Sequence, residues 1–340
     1  MKKWSVYAAV VALLVMSSMA FGQAKPEKPK SSRATSQKII AAVNLYSKNQ
    51  DTQGAIKGLV EALAKDPKNF YGNAWLGFLH LEAGTTEEAV SPLRTAHEVV
   101  PSDIGVLQNL AFALDRTNDR KGAYEAYQEL NRAKPGDSTV LNKLGVFALD
   151  QGDVTGAIAY FEESDRLVPN DKVTTTNLAT AYERAKQSEK ARATYERLVA
   201  LNPDNETLVS ALSWLGFNAI QAGQYESAVG YLEKALALRE NDLEILNNLG
   251  NAYGNLKPAQ DAKSMDIYRR MVALNPDLYE PWYNLGVLYL KQNQADNAVE
   301  ANLNALKRKP DEPFALNNLG RAYEMQGRFA MAGDNYAKAS

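Results

Sequence analysis

Asn248-Leu249-Gly250-Asn251-Ala252-Tyr253 and Asn284-Leu285-Gly286-Val287-Leu288-Tyr289 are two copies of one pattern. In the first copy Leu246, Leu249 and Tyr253 recur at intervals of three and four, the period at which residues line one face of a helix. Working outward, the prolines set the scale on which the pattern returns. Pro67, Pro101, Pro135, Pro169 and Pro203 lie 34 residues apart, and Pro276 and Pro310 keep the same interval. The gap of 73 between Pro203 and Pro276 is two periods plus five residues, which fall as three extra residues around Glu206–Leu208 and two near Lys257–Pro258.

Alignment on the prolines exposes columns of fixed size. A small column reads Val43, Gly77, Ala111, Gly145, Ala179, Gly216, Gly250, Gly286, Gly320. A large one reads Leu59, Leu93, Tyr127, Phe161, Tyr195, Leu232, Tyr268, Asn302, Tyr336. Small residues let two helix backbones approach, and large ones fill the space beside them. Between the two helical stretches of each unit stand Gly84, Asn118, Gly152, Gly223, Asn293 or Gly327, which tolerate the backbone angles of a tight turn. Each unit is therefore expected to be a helix, a turn and an antiparallel helix, closed by a proline that stops the second helix.

These Leu-Gly-x-x-Tyr, Ala and Pro columns resemble the tetratricopeptide repeat, over residues 36–340 in about nine copies. The resemblance implies an all-α fold, an α-solenoid in which antiparallel helical hairpins wind into a right-handed superhelix with first helices lining a concave groove. One hairpin cannot bury its own apolar face, so its neighbours must cover it. The slipped spacing divides the array into repeats 1–5 (36–205) and repeats 6–9 (206–340), with a changed superhelical angle expected over 195–245. In the last helix Phe329, Ala332, Tyr336 and Ala339 are expected to face nothing in this chain. That is either a frayed end or a surface for self-association through an uncapped C-terminal repeat.

Residues 1–22 read as a secretory signal peptide: Lys2 and Lys3 precede the apolar core Val6–Met16, and small residues follow at Ser18, Ala20 and Gly22. Residues 23–35, rich in proline, lysine and serine, read as a disordered linker. The expected location is periplasmic or secreted. Hydrophobic residues at 45 % and charged ones at 23 % suit a folded chain. With Lys2 and Lys3 set aside the formal charge is −4, which disfavours nucleic acid as a partner. Without cysteine, disulfides, zinc ribbons and thiol nucleophiles are excluded. Two histidines, His80 and His97, do not make a three-histidine metal site, and no cofactor is expected. Repeats that fill the chain leave no room for a catalytic domain, and Glu162-Glu163 reads as a solvated helix face, so no enzyme is expected.

The position before the large leucine of each first helix runs Ala41, Trp75, Asn109, Lys143, Asn177, Trp214, Asn248, Asn284, Asn318. An asparagine amide both donates and accepts, so it suits the C=O and N–H of an extended peptide. The O-linked N-acetylglucosamine transferase family carries similar repeats with an asparagine ladder at this place, and the resemblance implies a like use of Asn109, Asn177, Asn248, Asn284 and Asn318. Trp75, Lys143 and Trp214 interrupt the ladder. A second reading is that these asparagines tie one hairpin to the next. One turn away, Phe78, Phe112 and Phe217 are read either as anchors for a partner's side chains or as packing within a repeat. Lys48, Arg116, Arg184 and Lys291 alternate in the groove with Glu82 and Asp150, unlike the regular cationic set with which chaperone-binding domains of this kind hold a terminal carboxylate. The function expected is a non-catalytic scaffold of the bacterial cell envelope that binds a protein or peptide in its groove. The alternative is a component of an envelope polysaccharide or protein export machine, with a partner in that complex.

Overall fold

The computed structural model describes residues 32–340, so the expected signal peptide and all but the end of the linker lie outside the described residues. Every regular element among the described residues is an α-helix. The first of the two compact units ends at Lys186 and the second spans Gln187–Ser340. The first unit contains α1 (Arg33–Asn49), α2 (Thr52–Leu63), α3 (Phe70–Glu82), α4 (Thr86–Val99), α5 (Ile104–Arg116), α6 (Arg120–Ala133), α7 (Ser138–Asp150), α8 (Val154–Leu167) and α9 (Lys172–Arg184). The second contains α10 (Ser188–Ala200), α11 (Asn205–Gln221), α12 (Tyr225–Leu238), α13 (Leu243–Asn255), α14 (Asp261–Leu274), α15 (Tyr279–Lys291), α16 (Ala295–Arg308), α17 (Pro313–Met325) and α18 (Phe329–Ala339). Within a unit each helix packs on the next, and first helices also meet the following first helix, as α3 meets α5 and α15 meets α17. This is the α-solenoid pattern of stacked hairpins.

Local chemistry sets the helix ends. All six turn residues read from the sequence, Gly84, Asn118, Gly152, Gly223, Asn293 and Gly327, have positive φ. There the chain leaves the helix in the left-handed region that glycine and asparagine reach at least cost. The seven evenly spaced prolines all lie outside helices. At the starts, Asp51, Asp103, Asp119, Asp137, Asp153, Asp171, Asp204 and Asp242 each accept a hydrogen bond from a backbone N–H in the first turn. Such caps satisfy donors that the helix itself leaves unpaired. At Asp51, Asp119 and Asp153 the third helical residue is glycine, and a Cβ there would collide with the capping carboxylate.

The small and large columns meet as paired surfaces. A Cβ built on Gly77, Gly145 or Gly216 would strike Leu93, Phe161 or Leu232 respectively, and all three large side chains are fully buried. Glycine is thus required by the partner helix, not by a turn. Gly250 faces the Tyr268 ring and Gly320 the Tyr336 ring in the same way. The three extra residues near Glu206–Leu208 are absorbed as helix: α11 has 17 residues where α13, α15 and α17 have 13. The two near Lys257–Pro258 lie in the segment between α13 and α14.

The expectation for the last helix is corrected at two residues. Ala332 is buried, and Tyr336 packs over Gly320 and donates its hydroxyl to Glu324 at 2.9 Å. Both belong to the repeat's core columns, so their own hairpin partner α17 covers them. Phe329 does stand out, 71 % exposed.

Asn302 is the one polar member of the large column. It is fully buried over Gly286, its Nδ2 donates to the Ala298 carbonyl at 2.8 Å, and its Oδ1 has no partner. A buried acceptor left unpaired costs about 1–3 kcal/mol. Asn302→Leu, which installs the residue Leu232 provides over Gly216, is expected to stabilise the fold by about 1–2 kcal/mol through removal of that orphan. Chemical denaturation of both proteins measures it.

Candidate functional site

The ladder position lies in the interior of each first helix, and its surroundings differ from repeat to repeat. In the first unit Trp75 is buried, with its ring 6.4 Å from Tyr46 and 5.5 Å from Phe78. Phe78 is only 2 % exposed and meets Tyr46 edge-on at 6.0 Å. Between the two readings open for Phe78, packing within the array therefore holds, because this aromatic trio closes over it. Phe112 differs, 38 % exposed on α5. Lys143 places Nζ 2.6 Å from the Asp115 carboxylate of the preceding repeat, and Arg120 approaches the same carboxylate at 3.7 Å.

In the second unit Trp214 lies against Tyr195, with ring centroids 4.5 Å apart, and its carbonyl accepts from Asn218 at 2.9 Å. Phe217, one turn on, is 47 % exposed. Asn248 and Asn284 are half-buried, while Asn318 is buried with Nδ2 shielded and unpartnered.

Several other asparagines are hydrogen-bonded within the chain. Asn73 donates to the carbonyls of Pro67 at 2.8 Å and Asn69 at 2.9 Å. Asn142 donates toward Ser164 and Thr174, and Asn218, Asn302 and Asn335 return to carbonyls four residues earlier. Among the described residues, no hydrogen bond reaches the side chain of Asn109, Asn177, Asn248, Asn284 or Asn318. The reading in which they tie hairpins together needs such bonds. Amides without internal partners keep their donor and acceptor capacity for something else.

Other polar groups hold neighbouring repeats in register. The end of a first helix reaches back to the start of the previous second helix in three places. Asp150 pairs with Arg120, Lys291 with Asp261 at 2.8 Å, and Gln326 with Asp296 at 2.6 Å. Both sequence separation and geometry recur while the charges change sides. Asp150 and Lys291, expected as groove charges, are thus engaged in fastening the stack. A second recurrence links a second helix to a tyrosine 20 residues later: Tyr182 donates to Glu162 at 2.6 Å, Tyr253 donates to Glu233, and Arg269 donates to Tyr289 at 3.3 Å. Glu162 and Glu163 do not work as a pair. The second binds Arg166, whose guanidinium holds its carboxyl below the usual carboxylate range. Glu82 accepts from Tyr46 at 3.4 Å, and burial pushes its carboxyl up.

The histidines have structural surroundings. His80 is half-buried with Nδ1 2.8 Å from Thr85 Oγ1, and burial lowers its pKa. His97 meets Glu129 at 3.2 Å. Among the described residues no group of three or more histidines and carboxylates is placed to hold a metal, and no helix is long and apolar enough to cross a membrane.

Sequence-family models described as tetratricopeptide repeat match residues 148–215, residues 109–172 and 283–339, and residues 209–242. The chain belongs to the tetratricopeptide repeat family. Among curated relatives, the photosystem I assembly protein Ycf3 of Acaryochloris marina (strain MBIC 11017) is 37 % identical over 89 residues, 25 % of this chain and 52 % of the relative. The human protein O-mannosyl-transferase TMTC1 is 27 % identical over 147 residues, 43 % of this chain and 16 % of the relative. The chain thus spans about half or less of the length of the curated relatives it matches. Among solved structures, YrrB, described as a tetratricopeptide repeat protein with an unusual peptide-binding site, superposes with a TM-score of 0.51 at 20 % identity. The match covers 57 % of this chain and 97 % of that one. At that identity the likeness concerns the fold. Tetratricopeptide arrays are protein-interaction scaffolds, and this chain carries that architecture.

Because the ladder amides have no internal partners, Asn248→Ala and Asn284→Ala are expected to leave stability within about 0.5 kcal/mol of the parent. Asn73→Ala, which removes a buried amide bonded to two carbonyls, is expected to cost about 1–2 kcal/mol. Equilibrium urea unfolding distinguishes them, and a ladder variant as costly as Asn73→Ala would return these asparagines to a structural role.

Proposed function

We propose that this chain is a non-catalytic scaffold of the bacterial cell envelope that holds a protein or peptide partner on the groove face of its first helices. The observation that carries the reading is that three ladder asparagines, Asn177, Asn248 and Asn284, are half-buried with amides unpaired within the chain, while Asn109 and Asn318, also unpaired, are buried. A backbone N–H and C=O in extended conformation is the complement of such an amide. Phe112, on the helix of Asn109, and Phe217, on the helix of Trp214, are exposed and offer apolar contact on first helices. The envelope location rests on residues 1–22, and a reporter enzyme active only after export, fused following Ser32, is expected to be active in cells with the leader and silent without it.

The curated relatives named as photosystem I assembly proteins favour a second, narrower reading, in which the scaffold serves the assembly of a larger complex such as an export machine. The partner would then be a component of that complex. Both readings are tested by one experiment. A photo-crosslinking residue at position 177 or 248, activated in intact cells, is expected to capture a defined polypeptide. The same residue at Lys121 or Glu300, exposed on second helices, is expected not to. Capture only from the second-helix positions would refute binding on the first-helix face.

A further inference from the structure

Phe329 is the first residue of α18 and stands 71 % exposed. One turn along the same helix, a Cβ built on Gly333 would have no atom of the described residues within 4 Å. Residues four apart share a helix face, so α18 presents a ring and an opening side by side. Ala337 and Ser340, both exposed, continue this face, which carries no charge.

It is the face by which each hairpin receives its successor. In α16 the place of Gly333 is held by Val299, which packs against Leu319 and Tyr323 of α17. Earlier repeats carry Val90, Ile158, Val229 and Met265 there. The place of Phe329 is that of Arg120 and Asp261, which reach across to Asp150 and Lys291 of the next repeat. In α18 both roles are altered: the reaching residue is an aromatic ring, and the packing residue has no side chain. A further hairpin stacked as α17 is on α16 would therefore meet a hole in place of a valine and a ring in place of a charge.

A ring set over a glycine is how this chain joins two helices elsewhere, as Phe161 over Gly145, Tyr268 over Gly250 and Tyr336 over Gly320. On α18 the two halves of such a join lie on one helix and point the same way, so they cannot meet each other. A second α18, run antiparallel about a two-fold axis, brings each ring over the other copy's glycine, because in a two-fold interface residue i meets j and j meets i. Both halves are then used, and the pair closes instead of extending into a fibre.

We propose that this chain forms a closed two-fold dimer through α18, with Phe329 of each copy seated on Gly333 of the other. The groove face of the first helices takes no part in it, so the scaffold reading stands or falls separately. With 11 residues, α18 is about 16 Å long, and an interface of ordinary size buries about 1,600 Å² in all. One such helix pair covers less, so the association is weak and depends on concentration.

Sedimentation equilibrium of the full chain, from micromolar to millimolar concentration, tests it. Particle mass is expected to rise with concentration from one chain towards two and no further. Gly333→Leu fills the opening and Phe329→Ala removes the ring. Each is expected to weaken association about tenfold, with the cooperative melting of the parent retained, since neither place is packed within the chain. Gly333→Leu also enlarges the apolar surface, so general stickiness would strengthen association where the proposed join weakens it. The doubly exchanged variant, Phe329→Gly with Gly333→Phe, trades ring and opening, and the same two-fold pairing is expected to recover the dimer. A chain monomeric throughout, assemblies growing beyond two, association undiminished in Gly333→Leu, or an exchanged variant that stays monomeric each overturns the inference. None of these touches the scaffold reading, which fails instead if crosslinking from positions 177 and 248 captures nothing.

Discussion

An isolated pair of short helices has more apolar surface than it can cover, and the rest of this molecule follows from that deficit. The remedy is stacking of hairpin on hairpin, for which the two helices of each hairpin must first lie close, one of them with no side chain at the point of contact. Gly77, Gly145 and Gly216 supply it, with Leu93, Phe161 and Leu232 lying where a Cβ would be. The remedy is repeated at 34-residue intervals because each new hairpin brings a fresh exposed face along with its own contribution to burial.

What the sequence discloses about this protein follows the same division. The glycine and asparagine turns, the proline spacing and the small and large columns were legible because each is forced by sterics on a single residue: positive φ, a missing N–H, a missing Cβ. The three extra residues near Glu206 were locatable too, but not their outcome, since Leu208 and Val209 pack as part of a lengthened α11 and a loop would have served the spacing equally. Phe78 illustrates what spacing conceals. Its place in the repeat is the same as that of Phe112 and Phe217, yet the neighbours Tyr46 and Trp75 close over it. Exposure is a property of the residues across the contact, and these lie outside the column being read. The inter-repeat bridges were hidden for a related reason. Asp150 with Arg120 and Lys291 with Asp261 exchange charge between partners, so a column compared by residue type shows no regularity although the geometry repeats.

Those bridges also bear on what the groove face is left to do. Charges at the ends of first helices would make the most obvious contacts for a ligand, and several are instead spent on register between neighbouring hairpins. Exposed pairs of this kind contribute little stability, of the order of 0–1 kcal/mol each, but they fix which residues stand beside which. Lys143 is the extreme case: it occupies a ladder position, and it is turned to Asp115 of the repeat before. Beside these bridges the first helices keep amides at Asn248 and Asn284, an exposed ring at Phe217 and exposed cations at Lys48, Arg184 and Arg321. Fastening groups and uncommitted ones thus share the same helices, as Lys291 and Asn284 do on α15.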